Sequence, residues 1–91
     1  MLKGEQMKKI VLIPAYNEQN NIAEVINDLR ENAGDFDYVI INDGSTDDTI
    51  TLCREKGFNV IDIPINLGIG ASVQTGFIYA LENGYDIAVQ F

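Results

Sequence analysis

Apolar positions follow two different periods along the chain. Ile10-Val11-Leu12-Ile13 and Val39-Ile40-Ile41 are unbroken apolar runs, the pattern of strands buried on both faces of a parallel sheet. Between them, Ile22, Val25, Ile26 and Leu29 recur at i, i+3, i+4 and i+7, one stripe of an amphipathic helix. The pattern predicts strands over Lys9–Ile13, Asp37–Ile41, Asn59–Ile63 and Asp86–Phe91, separated by three helices. The first helix takes Asn21 as its N-cap with Glu24 three residues later, a capping-box spacing, and Gly34 lies just past its end. The second is capped by Ser45 or Thr46 and runs to Lys56, where Gly57 stops it, with Asp47 and Asp48 at its positive end. The third spans Ala71–Asn83, carries Val73, Phe77, Ala80 and Leu81 on its apolar face, turns Tyr79 to solvent and ends at Gly84. Pro64 argues against a longer third strand.

Strand–helix alternation with short loops means parallel βαβ units with right-handed crossovers, an α/β domain. Ninety-one residues allow one small domain. An apolar fraction of 46% with 22% charged residues fits a globular chain. The net charge of −8 argues against a nucleic-acid or anionic-membrane partner, because both need clustered Lys and Arg. Three of the six basic residues, Lys3, Lys8 and Lys9, sit near the N-terminus. Cys53 is the single cysteine and His is absent, so neither an internal disulfide nor a Cys/His zinc site forms. Cys53 lies three residues after Ile50 and reads as a core thiol. Residues 1–9 lack the apolar stretch of a signal peptide, and no run approaches a membrane span. A cytoplasmic location is the expectation, with residues 1–7 as a disordered N-terminal extension.

Two loops carry candidate chemistry. The first strand runs into Pro14-Ala15-Tyr16-Asn17-Glu18, and the second into Asn42-Asp43-Gly44-Ser45-Thr46-Asp47. Acidic, polar loops at the carboxyl ends of parallel strands suggest a small-molecule site. Pro14 and Tyr16 offer an apolar wall for a flat base. Glu18 can accept hydrogen bonds from a ribose diol, and Asp43 can accept a ring N–H, a means of choosing the base. Gly68-Ile69-Gly70 is not a dinucleotide fingerprint: it follows the third strand, and the third glycine of the pattern falls at Val73.

Together these loops resemble the nucleotide-sugar-binding half of family 2 glycosyltransferases, with the GT-A fold. The Pro-x-Tyr-Asn-Glu and Asp-Gly-Ser patterns match, and Asn66-Leu67-Gly68-Ile69-Gly70-Ala71-Ser72-Val73-Gln74-Thr75-Gly76 is most similar to the dolichyl-phosphate mannose synthase-like subgroup. The resemblance covers residues 8–91. It implies a Rossmann-like three-layer α/β/α domain with strand order 3-2-1-4 and a nucleoside-diphosphate sugar of UDP or GDP type as donor. The implied donor contacts are Pro14, Ala15, Tyr16, Glu18, Asn42, Asp43, Gly44, Gly68 and Gly70. The family often has Asp where this chain has Asn42, and Lys or Arg where it has Ile69 and Gln74. The implied reaction moves the sugar to an acceptor such as a polyprenyl phosphate or a saccharide. Mg²⁺ or Mn²⁺ belongs to a full-length form, because the family's metal-binding acidic motif comes directly after the fourth strand. No catalytic residue or metal ligand is assigned, and the 91 residues alone are expected to be inactive. A non-catalytic nucleotide-binding or interaction module is the alternative. The fourth strand carries a single charge and no Pro or Lys, so a homodimer through this edge is also expected.

Overall fold

The computed structural model describes residues 7–91. The expected extension therefore lies outside the described residues, apart from Met7. The elements are β1 (Lys9–Ala15), α1 (Ile22–Asn32), β2 (Asp37–Asp43), α2 (Thr49–Glu55), β3 (Val60–Ile63), α3 (Ile69–Glu82) and β4 (Ile87–Gln90). All pairings are parallel, in the order β3-β2-β1-β4, as the resemblance implies. The Rossmann-like α/β assignment holds.

Burial follows the two faces of the sheet. Val11, Ile13, Ala15 and Ile40 face α1 and α2, packing with Ile22, Ile26, Cys53 and Phe58. Ile10, Leu12, Val39 and Ile41 face α3 and pack with Ala80. Every residue from Ile10 to Ile13 is therefore buried, whichever way it points. Cys53 is part of this core, and burial pushes its thiol pKa up.

Both central strands run two residues beyond the sequence expectation. Pro14 pairs with Ile41, and Ala15 with Asn42. Pro14 is tolerated because of where its missing N–H would point. Phe91 N–H donates to Leu12 O, so Leu12, and Pro14 two residues on, aim their backbone groups toward β4. The β1–β2 ladder, on the other side of the strand, therefore loses no donor to the proline.

Two caps differ from expectation. Asn21 makes no side-chain cap to α1. Glu18 O instead accepts the N–H groups of Asn21 and Ile22, and Asn21 Nδ2 reaches back to Glu18 Oε1 at 3.1 Å. Ser45 and Thr46 do not cap α2, which starts later, at Thr49; Asp47 Oδ1 accepts the Thr49 N–H at 2.9 Å.

The largest departure is the face of α3. Its buried residues are Ser72, Gly76 and Ala80, while Phe77 is 45% and Leu81 79% exposed. The helix lies so close to the sheet that a Cβ on Gly76 would stand 3.0 Å from Ile41 Cδ1 and 3.2 Å from Leu12 Cδ1. Small residues permit this approach, and the bulky ones are displaced to its flank. Tyr79, expected in solvent, packs against the Ile10–Leu12 cluster, and its hydroxyl accepts a hydrogen bond from Asn59 Nδ2.

Candidate functional site

From β1, α1 and α2 step in one direction to β2 and β3; α3 then crosses back to β4, on the far side of β1. The strand order thus reverses at β1, where the carboxyl ends leave a crevice. A cleft of about 310 Å³ lies there, lined by Pro14, Ala15, Tyr16, Glu18, Asp43, Asn66, Gly68, Ile69 and Ser72. A larger, shallow cleft of about 460 Å³ lies at the amino ends of the strands, lined by Arg30, Phe36, Tyr38, Asn59 and Tyr85 among others. Size alone selects the second. The switch-point geometry selects the first as the candidate site.

The structure brings Pro14, Ala15, Tyr16, Glu18, Asp43 and Gly68 of the expected set into one cleft. Asn42, Gly44 and Gly70 are not among its lining. Asn42 is buried and faces away from α3; its Nδ2 donates to Asp62 Oδ1 at 2.9 Å, and its Oδ1 accepts from the Ser45 hydroxyl. Gly44 is set by close packing. With φ at +63°, its missing Cβ would stand 2.3 Å from Asn66 N and 2.4 Å from Ile65 C, a spacing only glycine allows. Gly70 lies within α3, which starts two residues earlier than the sequence suggests.

Asp43 is 4% exposed, and its carboxylate clasps the next loop. Oδ1 accepts Leu67 N–H at 2.7 Å. Oδ2 accepts Gly68 N–H at 2.9 Å and Asn66 Nδ2 at 3.2 Å. A carboxylate offers about four acceptor positions, so one on Oδ1 stays open. Asp43 therefore holds the start of α3 in place and keeps capacity for one more donor. The amides before Ser72, the first residue whose N–H bonds back into the helix, to Gly68 O, belong to a helix start facing the cleft. Such an end attracts anions.

The Tyr16–Gln19 loop is fastened to the Ser45–Thr49 segment. Asn17, at φ 55°, accepts with Oδ1 the N–H of Thr46 at 2.8 Å and of Asp47 at 3.2 Å. Its own N–H donates to Ser45 Oγ at 2.9 Å. Glu18 N–H donates to Thr49 Oγ1 at 2.9 Å, and Gln19 N–H to Asp47 Oδ2 at 3.3 Å. Burial pushes the Asp47 pKa up, but the hydrogen bonds from Thr49 and Gln19 outweigh it and leave the carboxyl below its ordinary value. Sequence reasoning missed the fastening role of Asn17 and the cleft positions of Asn66, Ile69 and Ser72. The Asn at a strand-to-helix turn is the one local signal, since Asn tolerates positive φ. Among the described residues, no three Asp, Glu or Cys side chains come together to hold a metal ion. No helix among them is long and apolar enough to cross a membrane.

The sequence model of glycosyl transferase family 2 matches residues 10–85, most of the chain. The chain belongs to glycosyl transferase family 2. Among the similar proteins is protein RfbJ of Shigella flexneri, 35% identical over 82 residues, 84% of this chain and 63% of that protein. UDP-N-acetylglucosamine–dolichyl-phosphate N-acetylglucosaminyltransferase of Methanococcus voltae is 35% identical, covering 89% of this chain and 39% of that protein. Undecaprenyl-phosphate mannosyltransferase of Micrococcus luteus is 27% identical, covering 92% of this chain and 37% of that protein. The chain thus spans from about a third to under two thirds of the length of these relatives. The last two names agree with the subgroup that the residue 66–76 segment resembles.

Proposed function

We propose that the switch-point cleft binds the nucleoside diphosphate of a UDP- or GDP-type sugar. The chain would then be the donor-binding part of a transferase that passes the sugar to a polyprenyl phosphate or a saccharide. The observation that carries this is the convergence of Tyr16, Glu18, Asp43 and the start of α3 in one cleft. Pro14 and Tyr16 form the wall for the base, and the open position on Asp43 Oδ1 accepts its ring N–H. Glu18 keeps its second carboxylate oxygen for the ribose while Asn21 holds the first. The diphosphate meets the amino end of α3. No Lys or Arg among the described residues lines this cleft, so the helix end is the positive element these residues supply there. A divalent metal would add charge neutralisation in the relatives' reaction; no three residues described here form its ligand set, and no step is derived through it.

Affinity for free UDP or GDP should be no better than ~0.1 mM, roughly −5.5 kcal/mol, because two carboxylates border an uncompensated diphosphate. Amide NMR titration tests the site. Shifts at Tyr16, Glu18, Gly68 and Ile69 are expected; shifts confined to the cleft at the other end of the sheet would overturn the assignment. A buried, unpaired Cys53 is consistent with a reducing, cytoplasmic setting.

Self-association through β4 belongs to the same proposal. This strand pairs only with β1 among the described elements. Val89 is 42% and Phe91 61% exposed beside it. A second copy adding its β4 antiparallel would satisfy both edges by two-fold symmetry.

A further inference from the structure

A line of polar side chains crosses the carboxyl end of the sheet beneath the cleft and touches none of it. Asn17 N–H donates to Ser45 Oγ at 2.9 Å. The Ser45 hydroxyl donates to Asn42 Oδ1. Asn42 Nδ2 donates to Asp62 Oδ1 at 2.9 Å, and Arg54 approaches Asp62 Oδ2 at 3.4 Å. The line joins the β1 loop, the β2 loop and β3. Each member has one direction it can work in. Asn42 is 2% exposed and must accept from a hydroxyl on one side and donate to a carboxylate on the other. The Asn42 carboxamide does both, its oxygen accepting from Ser45 and its NH₂ donating to Asp62. An Asp there would set two carboxylates face to face, since residues 42 and 62 are direct neighbours in the β2–β3 register. The bond to Asp62 is thus one that Asn42 makes and an ionised Asp at this position would not.

Resting on the donor-site assignment above, we propose that Asn42, Ser45 and Asp62 are positioning residues for nucleotide binding. They act through Asn17, whose carboxamide and N–H hold the loop that presents Tyr16 and Glu18. Asn42, treated above as a candidate donor contact, then works without touching the donor. Its pairing with Asp62 sets where the β1 loop stands.

A charge exchange tests this. Asn42→Asp breaks the line by like-charge repulsion. Asp62→Asn alone leaves an amide oxygen to accept from Asn42. The double variant Asn42→Asp/Asp62→Asn restores every bond in the line: residue 42 accepts from Ser45, and the new amide at 62 donates to it. Each variant is titrated with UDP and GDP while the amide resonances of Tyr16, Asn17 and Glu18 are followed. Asn42→Asp should weaken binding by about tenfold and move those three resonances. Asp62→Asn should change binding less than about threefold, and the double variant should return to within threefold of the parent with its resonances restored. If Asn42→Asp does not fold, Ser45→Ala cuts the line at its other link and should move the same resonances.

A merely structural role would lower the melting temperature and leave affinity and loop resonances in place. That result overturns the proposal, as does a folded double variant that stays defective. If the parent binds neither nucleotide, the donor-site assignment fails instead, while the loop resonances still decide whether the line positions residues 16–18.

Discussion

Replacing Asp43 by Asn removes one negative charge and one acceptor oxygen from a group that holds three donors. An amide has a single acceptor oxygen, so its NH₂ must confront a donor in either orientation. The less costly orientation places the oxygen at Oδ2, keeping Gly68 N–H and Asn66 Nδ2, and turns the NH₂ against Leu67 N–H. The bond lost is then the 2.7 Å one. A hydrogen bond to a charged partner contributes ~1.5–3 kcal/mol, and a neutral one ~0.5–1.5. Losing one bond and weakening two gives ~3–5 kcal/mol before relaxation. The clasped loop is partly exposed, with Leu67 at 53%, so it can yield and let water meet the freed groups. The expected net loss is ~2–3 kcal/mol, a large share of the ~5–15 kcal/mol of a native domain. For a domain of this size that lowers Tm by ~10–20 °C. Urea and thermal unfolding followed by circular dichroism measure it directly. A loss below ~0.5 kcal/mol at unchanged m-value would refute the clasp. It would also mean that Asp43 is held available for a ligand.

Four further outcomes are expected. Gly44→Ala should cost about 3 kcal/mol or more, because positive φ and backbone overlap act together; a soluble variant with near-parent Tm would contradict the packing in this turn. The Tyr85 hydroxyl donates to Asp37 at 2.6 Å, and burial, then that carboxylate, push its pKa up to about 12 from 10. The neutral form is thus favoured in the folded state, so this stability is complete below pH 10 and is lost as pH rises toward 12, by ~1–2 kcal/mol after solvent screening; Tyr85→Phe should flatten that alkaline limb. Asp47, held below its ordinary pKa, supports the fold above the usual carboxylate range and loses that support as pH falls through its lowered value. Asp47→Asn should accordingly reduce stability at pH 7 and flatten the acid limb of a pH series. Val89→Lys should shift sedimentation from dimer to monomer at ~0.1 mM chain, since a charge on an exposed edge blocks strand addition; a parent that sediments as a monomer, or an unchanged dimer in the variant, would count against association through β4.

The sequence alone determined the α/β class, the number and sequence of elements, the Ile22–Leu29 stripe and the buried thiol. These are local properties: backbone period, turn residues and side-chain apolarity act over a few positions. The motif resemblance supplied the strand order, which periodicity does not contain. Tertiary structure decided three other things. It set α3 on its small residues: Ser72, Gly76 and Ala80 face the sheet because a close approach excludes Phe77 and Leu81, although hydropathy ranks them the other way. It carried β1 through Pro14, because the side of the strand lacking a donor is turned away from β2, with which Pro14 and Ala15 pair. It also assigned the polar residues their partners. Asn17 meets Thr46 from 29 positions away, Asn42 meets Asp62 from 20, and Asp43 meets Leu67 from 24. No local pattern announces such pairs, because each is specified only when the crossovers bring the carboxyl ends of the strands together. There, buried donors and acceptors must satisfy one another, and that demand shapes the cleft.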